Sequence, residues 1–183
     1  LGDFGFFAKS CFYQGSVQVP LIVRWPGRLR QGLVCPALVG LQDLLPTLAG
    51  LANIALPRAV DGQDLGALLR GERAPAREYF VSYCQDAPRQ LYMVADERWK
   101  YLYSEVGGTE ELYDVAADPG ELTNLAARPA SADRLALMRQ RLRAWAQTHG
   151  DFGILAGAGL AVNPRNGAES TSFQARVMGW RWY

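Results

Sequence analysis

The spacing of apolar and polar positions changes along the chain. Val19-Pro20-Leu21-Ile22-Val23 is a short apolar run rich in β-branched residues, and the stretch to Trp25 predicts a buried strand. Pro26-Gly27 is a turn signal, and Arg28–Gly32 reads as a basic, exposed connection. Ala37-Leu38-Val39-Gly40-Leu41 is a second apolar run. From Asp43 the spacing becomes helical: Leu44, Leu48 and Leu51 fall at i, i+4 and i+7 and predict one apolar stripe. Asp43 is placed to cap that helix, Pro46 is tolerated in its first turn, and Asn53 and Pro57 end it. Asp61-Gly62 predicts a turn, and Leu65–Arg70 predicts one or two helical turns stopped at Gly71.

Beyond the polar stretch Glu72–Arg77 the texture changes to β. Tyr79–Tyr83, Leu91–Ala95, Arg98–Ser104 and Glu111–Val115 read as successive strands, with a short hairpin at Asp96-Glu97 and a turn at Gly107-Gly108. A meander of this kind needs one face covered. The covering element is a helix over Ser131–Thr148, with Ser131 as cap, Asp133 in its first turn and Gly150 just past its end. Leu135, Met138, Leu142 and Trp145 form its apolar stripe, and Arg134, Arg139, Arg141 and Arg143 take other faces. The tail Asp151–Tyr183 is rich in Gly and Ala and ends in Trp180-Arg181-Trp182-Tyr183, read as a segment packed on the core or, alternatively, a stacking surface for a substrate ring.

A composition of 49% hydrophobic and 20% charged residues is that of a globular chain with a core to bury. The net charge of +1 gives no polyelectrolyte signal, so no nucleic-acid partner is implied. No apolar run approaches the roughly 20 residues that span a bilayer, so no membrane partner is implied either. The chain opens in mid-motif without an initiator methionine and reads as a piece of a longer protein, whose compartment and oligomeric state these residues leave undefined. Cys11, Cys35 and Cys84 lack zinc-type spacing and read as buried free thiols.

The candidate chemistry lies at the start. Lys9 stands in a glycine-punctuated loop between Phe6-Phe7 and Phe12-Tyr13, just ahead of the apolar run. Taken alone, it is either a solvated surface lysine or a cation that a rigid element presents to a pocket. The order Gly-Asp-x-Gly, then Lys-Ser-x-Phe-Tyr-x-Gly-Ser-Val-x-Val-Pro-Leu-Ile-Val-Arg-Trp-Pro-Gly over Lys9–Gly27, resembles the arylsulfatase-type sulfatases of the alkaline phosphatase superfamily. The resemblance continues through Gln42–Thr47, Asp61-Gly62, Arg98–Tyr101, Glu111–Asp114 and Asp118–Glu121, and covers roughly residues 1–148.

The resemblance implies an α/β fold: the C-terminal part of an alkaline-phosphatase-like α/β domain over residues 1–75, a small antiparallel sheet with a packed C-terminal helix over 76–150, and a tail over 151–183. It implies a sulfuric ester hydrolase acting on a small-molecule or glycan sulfate ester, with Lys9 as the catalytic and substrate-binding residue that contacts the sulfate. A fixed ammonium against oxygens that carry negative charge stabilises the transition state more than the ground state, and a compact point charge suits one oxygen. Such enzymes also use calcium and a formylglycine made from a cysteine with an arginine four residues on. Here Gly15, Val39 and Pro88 stand at those positions, so the nucleophile and the calcium ligands are expected upstream, and the isolated chain is expected to be inactive. Phe4 replaces a common histidine and Gln14 a common glutamate. Two alternatives remain open: a phosphonate or phosphate ester hydrolase of the same superfamily, and a non-catalytic binding homologue with a degenerate site. Bland readings cover the remaining polar residues. Asp43 is a helix cap, Asp114, Asp118 and Glu121 belong to turn chemistry rather than a cation site, and His149 complements a helix C-terminus.

Overall fold

The computed structural model describes residues 11–74, 77–86 and 89–163. Lys9, Phe4 and the Trp180–Tyr183 end lie outside the described residues. The chain divides into two compact units, one of residues 1–19 with 81–183 and one of residues 20–80.

The first unit is built on a four-stranded sheet in the order β1 (Phe80–Asp86), β2 (Arg89–Ala95), β3 (Trp99–Ser104) and β4 (Thr109–Asp114). β2 and β3 pair antiparallel, as do β3 and β4, with Tyr92 opposite Tyr103, Lys100 opposite Tyr113 and Leu102 opposite Glu111. The hairpin between β2 and β3 closes as predicted: Asp96 Oδ1 accepts the amides of Arg98 (3.0 Å) and Trp99 (2.7 Å). Gly107 and Gly108, at φ 72° and 60°, make the turn before β4.

Alternation divides the sheet into two faces, and both are covered. Tyr92, Val94, Tyr101 and Leu112 face helix α4 (Ala132–His149), from which Leu135, Met138, Leu142 and Ala146 are buried. Trp145 is half-buried; its ring meets those of Tyr83, Tyr92 and His149. Gly150 ends the helix in the left-handed conformation at φ 72°. Ser131 occupies the cap position, but its hydroxyl makes no capping bond, because a 3₁₀ turn over Pro129–Ser131 leads into the helix. Arg141, off the apolar stripe, is nonetheless buried and bonds Asp96 Oδ2 at 2.6 Å. Arg139 binds Glu110 of β4 across the sheet. The opposite face, with Lys100, Leu102, Glu111 and Tyr113, is covered by the segment that ends in α1 (Gln14–Val17), a single helical turn where an entry into a strand was expected.

In the second unit, α2 (Leu44–Leu51) ends in a Schellman arrangement: Asn53 takes φ 57°, its amide bonds Gly50 O, and the Ile54 amide bonds Ala49 O. α3 (Gly66–Arg70) stops at Gly71 with φ 75°. Gly62 admits no side chain, since a Cβ there would lie 2.0 Å from Gln42 O.

The expected strand over Val19–Trp25 is absent. Those residues form no ladder, and Ile22 is 90% exposed. A β-branched run needs a neighbouring strand for its backbone groups and a layer for its side chains, and the described residues of this unit offer it neither. The Leu44/Leu48/Leu51 stripe fails likewise: Leu48 is exposed, and α2 buries Pro46, Thr47 and Ala49 instead. Of the cysteines, Cys11 and Cys84 are half-buried and Cys35 is exposed, so none is the buried thiol expected.

Candidate functional site

The described chain begins two residues after Lys9, and the first residues it shows are held by an unusual number of buried charges. β3 presents Lys100 to the face that the 11–17 segment covers. Lys100 is 3% exposed, and its ammonium donates to Phe12 O (2.8 Å) and Gln14 Oε1 (3.0 Å) and forms an ion pair with Glu121 Oε1 at 2.6 Å. Glu121 Oε2 accepts the Gln14 amide at 2.6 Å. From β4, Glu111 Oε2 accepts the hydroxyls of Tyr13 (2.9 Å) and Tyr113 (2.6 Å), and the two phenol rings meet edge to face at 6.1 Å. Residues 12, 13 and 14 are thus each gripped by a buried ionisable side chain more than 80 residues away in sequence.

The electrostatics follow from burial. Loss of solvent pushes the Lys100 ammonium below its ordinary pKa, and the Glu121 carboxylate offsets part of this. Burial pushes Glu111 upward, and the nearby charge of Glu121 adds to it against the two phenol donors. Burial is also the main cause that raises Tyr13 and Tyr113, followed for Tyr13 by the Glu111 charge and for Tyr113 by its bond to Glu111, so both remain neutral donors.

The turn motif divides in a way that spacing did not show. Asp118 behaves as expected, with Oδ2 accepting the Thr123 amide at 2.8 Å and its own amide bonding Asp114 O. Asp114 is taken by Arg98 (2.6 Å). Glu121 is no turn acid: it is buried, and it sits at φ 54°, a conformation that side chains rarely adopt. The signal for Lys100 was present, since it is a charged strand residue between Trp99 and Tyr101, but nothing local named its partners; Glu111 follows Glu110 in a largely polar strand and carried no such signal.

In the second unit, Asp43 does not cap α2. Its Oδ2 reaches back to the Gly40 amide and its Oδ1 across to the Gln63 amide, both at 2.8 Å, while Arg77 binds both oxygens at 2.9 and 2.8 Å. Burial favours the neutral acid there, but Arg77 and the two amides outweigh it and hold the carboxyl below its ordinary pKa. His149 lies exposed in the last turn of α4 with Nδ1 2.9 Å from Trp145 O, in keeping with its predicted place.

Among the described residues no group of three or more His, Cys, Asp or Glu is arranged to hold a metal ion, and Asp114, Glu121 and Asp43 are each committed to a cation of the protein itself. These residues do not fit a calcium site. A cavity lined by Phe12, Tyr13, Leu102, Tyr103 and Glu111 holds about 20 Å³, room for a water-sized molecule and not for an ester substrate. No helix among the described residues is long and apolar enough to cross a membrane.

Comparison with known proteins agrees with the motifs. The family described as N-sulphoglucosamine sulphohydrolase, C-terminal, matches residues 2–148. An arylsulfatase of Clostridium perfringens is 30% identical over 145 residues, 78% of this chain and 30% of that protein. The structure of a 2-O GAG sulfatase superposes with a TM-score of 0.57 at 38% identity, covering 60% of this chain and 25% of the other. A phosphonate monoester hydrolase from Silicibacter pomeroyi shares the fold at a TM-score of 0.59 and 23% identity, over 78% of this chain and 32% of that one. The chain spans less than a third of the length of each. By motif order, by family match and by fold, it belongs to the sulfatases and carries their C-terminal portion.

Proposed function

We infer that the protein carrying this chain hydrolyses sulfate esters, with Lys9 placing its ammonium against the sulfate oxygens. The observation that carries this reading is the family match over residues 2–148, which includes the Lys9 segment. The sulfated-glycan enzyme among its structural relatives favours a sulfated sugar or other small sulfate ester as substrate. In the same reading residues 1–75 close the catalytic α/β domain, 76–150 form the β-plus-helix subdomain and 151–183 the tail. The calcium ligands and formylglycine that such chemistry uses come from outside this chain, which contributes the cation and the structure that supports it.

Lys9→Ala in the full-length protein tests this. Loss of one preorganised electrostatic group predicts a fall of roughly 10²- to 10³-fold in kcat/KM on an aryl sulfate, with little change in melting temperature. Lys9→Arg restores only part of the rate, since a planar fork does not place its charge where an ammonium sits. Matched sulfate, phosphate and phosphonate esters are assayed in parallel. A preference for phosphonate would replace the sulfatase reading, and wild-type activity in Lys9→Ala would remove Lys9 from the site.

A further inference from the structure

We propose that the turn spanning Arg24 to Arg30, in the second unit, is a docking surface for a sulfated glycan, engaging sulfate groups other than the one that is hydrolysed. It deepens the sulfate-ester reading given above, on which it rests, by naming the substrate class as a sugar chain that carries several sulfates.

The turn is set apart by its charge. From Phe4 to Gln42 the sequence has no acidic residue, and Arg24, Arg28 and Arg30 fall close together within that stretch. Other arginines are bound to carboxylates: Arg70 to Glu72, Arg77 to Asp43, Arg98 to Asp114, Arg139 to Glu110 and Arg141 to Asp96. Arg24, Arg28 and Arg30 are exposed, and no carboxylate among the described residues pairs with them. Guanidiniums without a counter-charge of the protein's own raise the local concentration of anions. A planar fork also matches the oxygens of a tetrahedral oxyanion two at a time, which a point charge does not.

Backbone bonds fix the turn at both ends. Trp25 O accepts the amides of Arg28 (3.1 Å) and Leu29 (3.0 Å), and the Arg30 amide donates to Leu69 O at 3.1 Å. The Arg28 guanidinium lies over the Trp25 ring, 5.8 Å from its centroid. Arg30 lies across Gly71, where a Cβ would come 2.6 Å from Arg30 Cδ and 2.8 Å from its Nη1. Glu72, next in the chain, gives its carboxylate to Arg70 at 2.6 Å. Two of the three cations are thus oriented by contacts that leave their charge unpaired, so less freedom is lost when an anion binds.

The mixture of groups selects the occupant. Trp25 is 41% exposed, and a flat indole beside guanidiniums suits a ring that has an apolar face and carries anions. A sulfated sugar has both, whereas inorganic sulfate offers the indole nothing. A nucleic acid would need a wider positive field than a chain of net charge +1 supplies.

The test measures binding of a heparin-derived oligosaccharide to the full-length protein by calorimetric titration, alongside kcat and KM on a small aryl sulfate. The comparison probes are the same oligosaccharide after desulfation, inorganic sulfate, and single-stranded DNA of similar length. The variants are Arg24→Gln/Arg28→Gln/Arg30→Gln and, because Arg30 packs on Gly71, Arg24→Gln/Arg28→Gln, which leaves that contact alone; a melting temperature is taken for each. An exposed ion pair contributes about 1.4- to 5-fold. The triple variant is therefore expected to weaken oligosaccharide binding by about 3- to 100-fold, with a shallower dependence on salt, and to change kcat and KM on the aryl sulfate by less than about twofold. Oligosaccharide binding that neither variant weakens would overturn the proposal, as would equal binding of the desulfated chain, tighter binding of the DNA, or inorganic sulfate binding as tightly as the oligosaccharide. Binding is read without turnover, so the two readings fail separately. No turnover of any sulfate ester, with binding lost in the variants, overturns the sulfate-ester reading and supports the surface; turnover with binding untouched by the variants overturns the surface alone.

Discussion

Removing the Asp43 carboxylate should loosen the second unit at a place that can be followed residue by residue. Both of its oxygens are fully used: Oδ1 by the Gln63 amide and Arg77, Oδ2 by the Gly40 amide and Arg77. The carboxylate is 0% exposed and the Arg77 side chain 12%, so solvent cannot replace what is lost. Asp43→Ala strands a buried guanidinium and two backbone amides, and breaking a buried pair of this kind costs about 3–5 kcal/mol. Hydrogen exchange at the Gly40 and Gln63 amides reads the effect directly. If opening becomes easier by that amount, exchange should accelerate by roughly 10²- to 10⁴-fold, at about 1.4 kcal/mol per tenfold. The double variant Asp43→Ala/Arg77→Met strands no charge and should cost less than the sum of the two single changes. pH gives an independent check. The folded carboxyl titrates below its unfolded value of 3.8, so its contribution is complete above that value and is lost as pH falls through the folded pKa. The acid limb of unfolding should therefore be shallower in Asp43→Asn. Additive single and double costs, or unchanged exchange at both amides, would refute the reasoning.

Glu111 predicts the opposite slope. Its folded pKa lies above the unfolded value of 4.5, so its contribution is complete below that value and declines as pH rises through the folded pKa. Denaturation midpoints across that range should fall less with pH in Glu111→Gln than in the wild type. In α4, Leu142 is fully buried, and Leu142→Ala should cost about 2–5 kcal/mol in chemical denaturation; a cost below about 1 kcal/mol would mean that the helix does not pack on the sheet as described.

Elements that carry their own stop signals were legible in the sequence. α3 ends at Gly71, α4 ends at Gly150 and α2 ends at Asn53, because a left-handed residue closes a helix through bonds to its own last turn. The hairpins were legible for the same reason, since Asp96 and the Gly107-Gly108 pair complete their turns within a few residues. Elements that depend on distant neighbours were not. The run Val19–Val23 has the composition of a core strand, but composition does not supply the neighbouring strand it would pair with. The leucines of α2 repeat correctly, yet the face that is buried is set by Asp43, whose partners Gln63 and Arg77 lie 20 and 34 residues on.

The same limit explains what was missed around the candidate site. A lysine at position 100, between Trp99 and Tyr101, breaks the apolar pattern of a strand whose faces are both covered, and that anomaly alone calls for a partner of opposite charge. The pattern gives the sign of that partner and not its position. Glu121 was assigned to its turn because Asp-Pro-Gly chemistry accounts for Asp118 without it, and local sufficiency hid a long-range role. Gln14 is a similar case: the sequence sets it against a common glutamate, and only the structure shows the lysine that it meets. Lys100, Glu111 and Glu121 are recognised by burial and by what they bind, because nothing in their local spacing separates them from ordinary strand and turn residues.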